Sequence, residues 1–204
     1  ATVRPRAEKY LLTAAGQVRQ YGAVDEDEEK TALIAARPDR PNLTRTAHGR
    51  GQIYRSTVFA KLVALAVIKF ATLDPLGMGL EMEAGKPGWY DALNGLPGLF
   101  GSSLADAYEL QRLFNFLLAT MAVQENGGVE LPVEQADLLD EIAAVLTGWR
   151  HSTAADRDFH YWDAAATARE TYRRRTRLGF DGQTRTCTFD NLVPHLQAFS
   201  AHLQ

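Results

Sequence analysis

The sequence predicts an all-α protein built from antiparallel helical hairpins. Nearly every periodic stretch of its 204 residues repeats apolar side chains with the helical period of 3.6 residues. The joins between these stretches are short, and short joins place consecutive helices antiparallel and side by side. Alternation of apolar and polar residues is absent over any useful length, so at most Arg185–Thr188 is expected to form a short strand.

Three helices are expected in the first part of the chain. The first spans Glu8–Gln20, where the apolar residues fall near one face. The acidic run Asp25–Glu29 opens the second, because acidic side chains suit the positive end of the helix dipole. The third, Ser56–Thr72, is apolar almost all round and is expected to be central to the fold. Pro75 ends this helix, since the residue before a proline avoids the helical region.

Four more helices are expected in the second part: Ser103–Gln124, Pro132–Trp149, Thr153–Arg177 and Phe189–His202. Ser103 begins a pattern similar to a capping box, and Thr188 is a candidate cap for the last helix.

The composition excludes several classes of function. The 22 Lys and Arg residues nearly balance 25 Asp and Glu residues, which disfavours nucleic acid or an anionic membrane as a partner. The longest apolar run, Phe59–Ala71, is too short to cross a bilayer. Cys187 is the single cysteine and the five histidines lack metal-ligand spacing, so we expect no metal and no other cofactor. A single cysteine and the lack of a signal-peptide pattern fit a cytoplasmic protein.

The central loop, Gly79–Ser103, is the candidate functional segment. Its glycines and prolines keep it out of regular structure, while its many apolar side chains make it unlike a solvated linker. Three carboxylates, Glu81, Glu83 and Asp91, are candidates for acid and base chemistry on a glycosidic bond. An aromatic side chain beside an acid can stack on a sugar ring. The alternative is a packed loop with a purely structural role.

The stretch Trp89–Asn94 resembles the Trp-x-Asp-x-Met/Leu-Asn motif of glycoside phosphorylases of the cellobiose-phosphorylase type. This resemblance implies an (α/α)6 toroid of six helical hairpins, in which Asp91 is the general acid of an inverting reaction. It also implies that the loop binds an oligosaccharide, with these candidate substrate-binding residues: Trp89, Tyr90, Asn94 and Lys86. The family has an acidic residue where this chain has Gly88, and Glu83 is the local candidate to replace it.

The nucleophile is either phosphate or water. Phosphorolysis uses inorganic phosphate as co-substrate and needs cationic donors, for which the basic segment offers Arg45, His48 and Arg50 among glycines. The alternative for these three residues is an exposed surface loop. Hydrolysis with inversion instead needs a carboxylate base about 6.5–9.5 Å from the acid, and Glu81 and Glu83 are the candidates.

The whole chain, 1–204, is expected to form a single helical domain. Its roughly seven helices are about half of the twelve in a complete toroid. The chain is therefore expected to be either a piece of a larger catalytic domain or a small protein that associates with another copy. A non-catalytic helical module that binds sugar or protein is the alternative function. His160–Asp163 either lines a sugar cleft or packs as aromatic core.

Overall fold

The computed structural model describes residues 2–6, 8, 10–20, 24–81, 102–124 and 127–203. Within these ranges the fold is mixed α/β, with six helices and eight short strands in four two-stranded sheets. The prediction of an all-α protein forming part of an (α/α)6 toroid is therefore wrong. The strands are two to five residues long, too short for the alternating period to stand out from a helical pattern.

The chain divides into two compact units. The described part of the first lies within residues 2–43, and that of the second comprises 44–81 and 102–203. The prediction of one domain over 1–204 stays a prediction. None of the helices in the described ranges is long and apolar enough to cross a membrane.

The described part of the first unit contains two strand pairs and a short helix. Its antiparallel pairs are β1 (Val3–Pro5) with β4 (Val24–Glu26), and β2 (Tyr10–Leu12) with β3 (Val18–Gln20). Helix α1 (Glu28–Ala35) follows, with the Asp27 side chain accepting a hydrogen bond from the backbone N–H of Lys30. The predicted acidic helix start is confirmed for Asp27, Glu28 and Glu29, whereas Asp25 and Glu26 lie in β4.

The predicted helix Glu8–Gln20 is wrong, because a turn interrupts it. The backbone N–H of Thr13 donates to the carbonyl of Gln17, and Gly16 has a φ of 75°. Only glycine adopts that backbone conformation without steric cost. The turn therefore folds the two halves of this stretch back on each other as β2 and β3.

The second unit contains the other five helices, close to where the sequence predicts them: α2 (Val58–Phe70), α3 (Leu104–Ala122), α4 (Val133–His151), α5 (Arg157–Thr176) and α6 (Phe189–His202). Thr57 and Ser103 cap α2 and α3 through their hydroxyl groups. Thr188 precedes α6, but its side chain makes no cap hydrogen bond.

Two strand pairs complete the second unit. Strand β5 (Leu80–Glu81) pairs with β6 (Ser102–Ser103), and β7 (Gly128–Pro132) pairs with β8 (Thr184–Thr188), both antiparallel. The predicted strand Arg185–Thr188 is confirmed and begins one residue earlier. In β8 the side chains alternate between exposed and half-buried, which is the period that a half-covered strand requires. Because this ladder is antiparallel, α4 begins at the end where Pro132 pairs with Thr184, and α6 begins at the opposite end, where Thr188 pairs with Gly128.

The core of the second unit forms around α2. Phe70 is fully buried, stacks on Phe199 with the ring centroids 4.4 Å apart, and contacts Phe114 edge-on at 6.1 Å. Phe114 lies on α3 and Phe199 on α6, so this aromatic cluster joins three helices.

Candidate functional site

The structure describes four of the residues that the sequence analysis selects: Glu81, Arg45, His48 and Arg50. Six others lie outside the described residues: Glu83, Lys86, Trp89, Tyr90, Asp91 and Asn94. The roles assigned to these six stay predictions.

The two described ends of the central loop lie side by side. Strands β5 and β6 pair Leu80 with Ser103 and Glu81 with Ser102. Gly79 allows this approach, since a Cβ at that position would lie 2.9 Å from the carbonyl carbon of Ser103. Leu80 is 1% exposed and belongs to the core. The loop therefore starts and ends on a fixed base.

The backbone and side chain of Glu81 are both held at this base. Its N–H donates to the carbonyl of Thr72 at 2.7 Å. Its Oε1 accepts a hydrogen bond from the indole Nε1 of Trp162 at 2.6 Å, and its Oε2 lies 3.7 Å from Nη1 of Arg169. The side chain of Glu81 remains 28% exposed. A carboxylate, an indole and a guanidinium group thus meet where the loop begins.

Arg169 is the buried member of this cluster. Its side chain is 9% exposed, and Nη1 donates to the carbonyl of Ala71 at 3.3 Å. Burial lowers the pKa of this guanidinium group, and the positive charge of Arg173 lowers it further, while Glu81 opposes both effects. A buried cation of this kind needs its carboxylate partner.

Arg169 is not among the site residues that the sequence predicts, and neither is the contact between Trp162 and Glu81. These two α5 residues are seven positions apart, which puts them two turns apart on one face of the helix. The spacing is the one signal in the sequence that relates Trp162 to Arg169. It does not reveal the hydrogen bond between Trp162 and Glu81, which are 81 positions apart in the chain. Because both oxygens of Glu81 are engaged, this geometry suits a residue that positions its neighbours. The catalytic role predicted for Glu81 stays a prediction.

The segment containing Arg45, His48 and Arg50 forms a tight turn closed by a β-bridge between Arg45 and Ile53. Each backbone N–H from 47 to 51 donates to a protein carbonyl oxygen, including those of the 180–181 segment. Nη1 of Arg45 donates to a carbonyl of the same turn at 3.4 Å, while His48 and Arg50 are exposed. A phosphate here would have to rely on side chains, because the backbone N–H groups that usually cradle phosphate are engaged. Phosphate binding by these residues stays a prediction.

The aromatic segment His160–Asp163 packs in part as aromatic core, and its alternative role in lining a sugar cleft stays a prediction. Tyr161 is 6% exposed and packs with the core, whereas Trp162 points to Glu81. The exposed His160 contacts Asp156 at 3.0 Å. Among the described residues, no group of three or more His, Cys, Asp or Glu side chains could hold a metal ion.

No family model matches this sequence, and no curated protein matches it.

Proposed function

We propose that this chain is a carbohydrate-active protein that cleaves or phosphorolyses a glycosidic bond by an inverting mechanism, with Asp91 as the general acid. The structural observation that supports this proposal is the contact between Glu81 and the indole of Trp162, which fixes the base of the central loop. The resemblance of Trp89–Asn94 to the phosphorylase motif supports it. We place the activity in the cytoplasm, since a single cysteine fits a reducing compartment.

The proposed reaction requires a general acid and a nucleophile. Asp91 donates its proton to the oxygen of the leaving sugar while phosphate or water attacks the anomeric carbon from the opposite face. Phosphate needs no protein base, whereas water needs a carboxylate, for which Glu83 is the candidate. In this proposal Glu81 and Arg169 act as positioning residues that hold the start of the loop.

The test incubates the protein with cellobiose and a panel of other neutral disaccharides, with and without inorganic phosphate. Sugar 1-phosphate formed only with phosphate supports phosphorolysis, and free monosaccharide without phosphate supports hydrolysis. Asp91→Asn removes the proton donor and should lower the rate at least 10²-fold. The matched control is Asp190→Asn, which makes the same chemical change at an exposed position in the first turn of α6 and should leave the rate unchanged.

The proposal fails if the wild-type chain forms neither product, or if Asp91→Asn retains the full rate. Sugar binding without any product would support the alternative function, a non-catalytic sugar-binding module.

A further inference from the structure

The outer side of α3 is apolar although it faces solvent. The inner side of this helix packs in the core of the second unit. On the outer side, four large apolar residues are 57%, 66%, 56% and 81% exposed: Leu104, Tyr108, Phe116 and Val123. A helix at the surface of a globular protein normally carries polar residues opposite its core face. The outer side of α3 therefore has the composition of a surface that another molecule covers.

The exposed residues of α3 form a straight seam along the helix. The positions of the seam alternate between spacings of four and three residues: Ala105, Glu109, Arg112, Phe116, Ala119 and Val123. This alternation keeps side chains in one line, and it is the pattern by which two helices pack side by side. The other two apolar residues, Leu104 and Tyr108, lie beside the first half of the seam. The seam therefore fits another helix.

The charged residues of the seam favour a second copy of this chain as the partner. Glu109 and Arg112 carry opposite charges and form an exposed ion pair, with Oε1 and Nη1 3.4 Å apart. If two copies of α3 lie antiparallel, Glu109 of each copy comes close to Arg112 of the other, twice by symmetry. A parallel pair would instead place like charges opposite each other. In the antiparallel arrangement the seam is therefore complementary in charge to itself.

The large apolar residues fit the same two-fold arrangement. Two of them precede the middle of α3 and two follow it, so an antiparallel pair places each of the first two against one of the last two. The midpoints between the facing residues lie within one helical turn of one another for these three pairs: Glu109 with Arg112, Tyr108 with Phe116, and Leu104 with Val123. A single two-fold axis near the middle of α3 therefore suits all three contacts.

The exposed area of this surface matches that of a stable interface. From their exposed fractions, the four large apolar side chains expose roughly 500–600 Å², since an aromatic side chain alone can bury about 150–250 Å². The side chains of Glu109 and Arg112 are 70% and 78% exposed, and they add roughly 200–300 Å². A standard-size interface buries about 800 Å² on each partner. The outer side of α3 alone is thus large enough for a specific dimer.

We propose that α3 is the interface of a homodimer, in which two copies of this chain pack their seams antiparallel about a two-fold axis. The inference goes beyond the proposed function, because association through α3 requires neither Asp91 nor turnover. Failure of the disaccharide assay would leave it unaffected.

Sedimentation equilibrium of the full chain measures the association, and we expect a dimer at about 10 μM protein. Phe116→Glu places an unpaired carboxylate in the apolar contact twice per dimer, so it should raise the dissociation constant at least about 10²-fold. Phe159→Glu is the matched control, because Phe159 lies outside the seam on α5 and is 54% exposed. The control should leave the dissociation constant unchanged. Circular dichroism checks that both variants are folded.

An exchange of charges tests whether the partner is a second copy. Glu109→Arg leaves only positive charges on the seam and Arg112→Glu leaves only negative ones, so each variant alone should dimerise about 10-fold more weakly than the wild type. An equimolar mixture of the two variants brings opposite charges together again and should restore association as a heterodimer. The inference is overturned if the wild type remains a monomer up to about 100 μM, if Phe116→Glu dimerises as tightly as the wild type, or if the mixture forms no more dimer than either variant alone.

Discussion

Replacing Glu81 by glutamine should destabilise the second unit by removing the carboxylate that faces a buried cation. Glutamine has nearly the same shape and keeps an oxygen that can accept the hydrogen bond from the indole of Trp162. The specific loss is thus the negative charge 3.7 Å from the guanidinium group of Arg169.

The size of this effect follows from distance and burial. At 3.7 Å and an effective dielectric constant of about 20, the attraction between the two charges is about 4.5 kcal/mol before desolvation is subtracted. Removing one partner from a fully buried pair costs about 3–5 kcal/mol, while an exposed pair contributes about 0–1 kcal/mol. Arg169 is 9% exposed and Glu81 is 28% exposed, so we expect Glu81→Gln to lower the free energy of unfolding by about 1–3 kcal/mol.

Urea unfolding followed by tryptophan fluorescence measures this change as a lower midpoint at an unchanged m-value. The exposed Glu141 of α4 provides the matched control, and Glu141→Gln should stay within about 0.5 kcal/mol of the wild type. In an Arg169→Met background the buried cation is absent, so the cost of Glu81→Gln should fall below about 0.5 kcal/mol. An equal loss in both backgrounds would refute the assigned pairing.

Three further predictions concern the same unit. Gly79→Ala should lower the free energy of unfolding by about 1–3 kcal/mol in urea, because the new methyl group would press on the backbone of Ser103; an unchanged midpoint would contradict the close approach. Thr57→Ala should cost about 1 kcal/mol through loss of a helix cap, whereas Thr188→Ala, which removes no cap hydrogen bond, should cost less in the same assay. Burial and a neighbouring arginine lower the pKa of His202, so below about pH 6.5 the unfolded chain binds a proton that the folded chain does not. The free energy of unfolding should therefore fall as the pH drops towards the lowered pKa. The urea midpoint should decrease less between pH 7 and pH 5 in His202→Gln than in the wild type. An equal decrease in the two proteins would contradict this.

The sequence predicts the helices of the second unit well, because most of them bury a clear apolar face, although α2 is apolar almost all round and α5 buries the charged Arg169. Helix α6 begins at Phe189 and ends at His202 as predicted, and α2 differs from its prediction by two residues at each end. The hairpin of β2 and β3 was not predictable in the same way. Its apolar residues also fit a helical spacing, and the outcome depends on a turn at Gly16.

In the candidate site, too, the sequence predicts local features but not the contacts between distant parts of the chain. The composition of the central loop points to Glu81, and the two-turn spacing of Trp162 and Arg169 places them on one face of α5. Their contact with Glu81 depends on the packing of α5 against the base of the loop. No local pattern carries that information, since hydrophobic periodicity reports which face is buried and not what covers it.

The most direct test of the central proposal is the rate at which wild-type and Asp91→Asn chains release sugar 1-phosphate or free sugar from a neutral disaccharide. The account predicts a measurable wild-type rate that falls at least 10²-fold in the variant. Equal rates in the two proteins, or no product from the wild type, would contradict it.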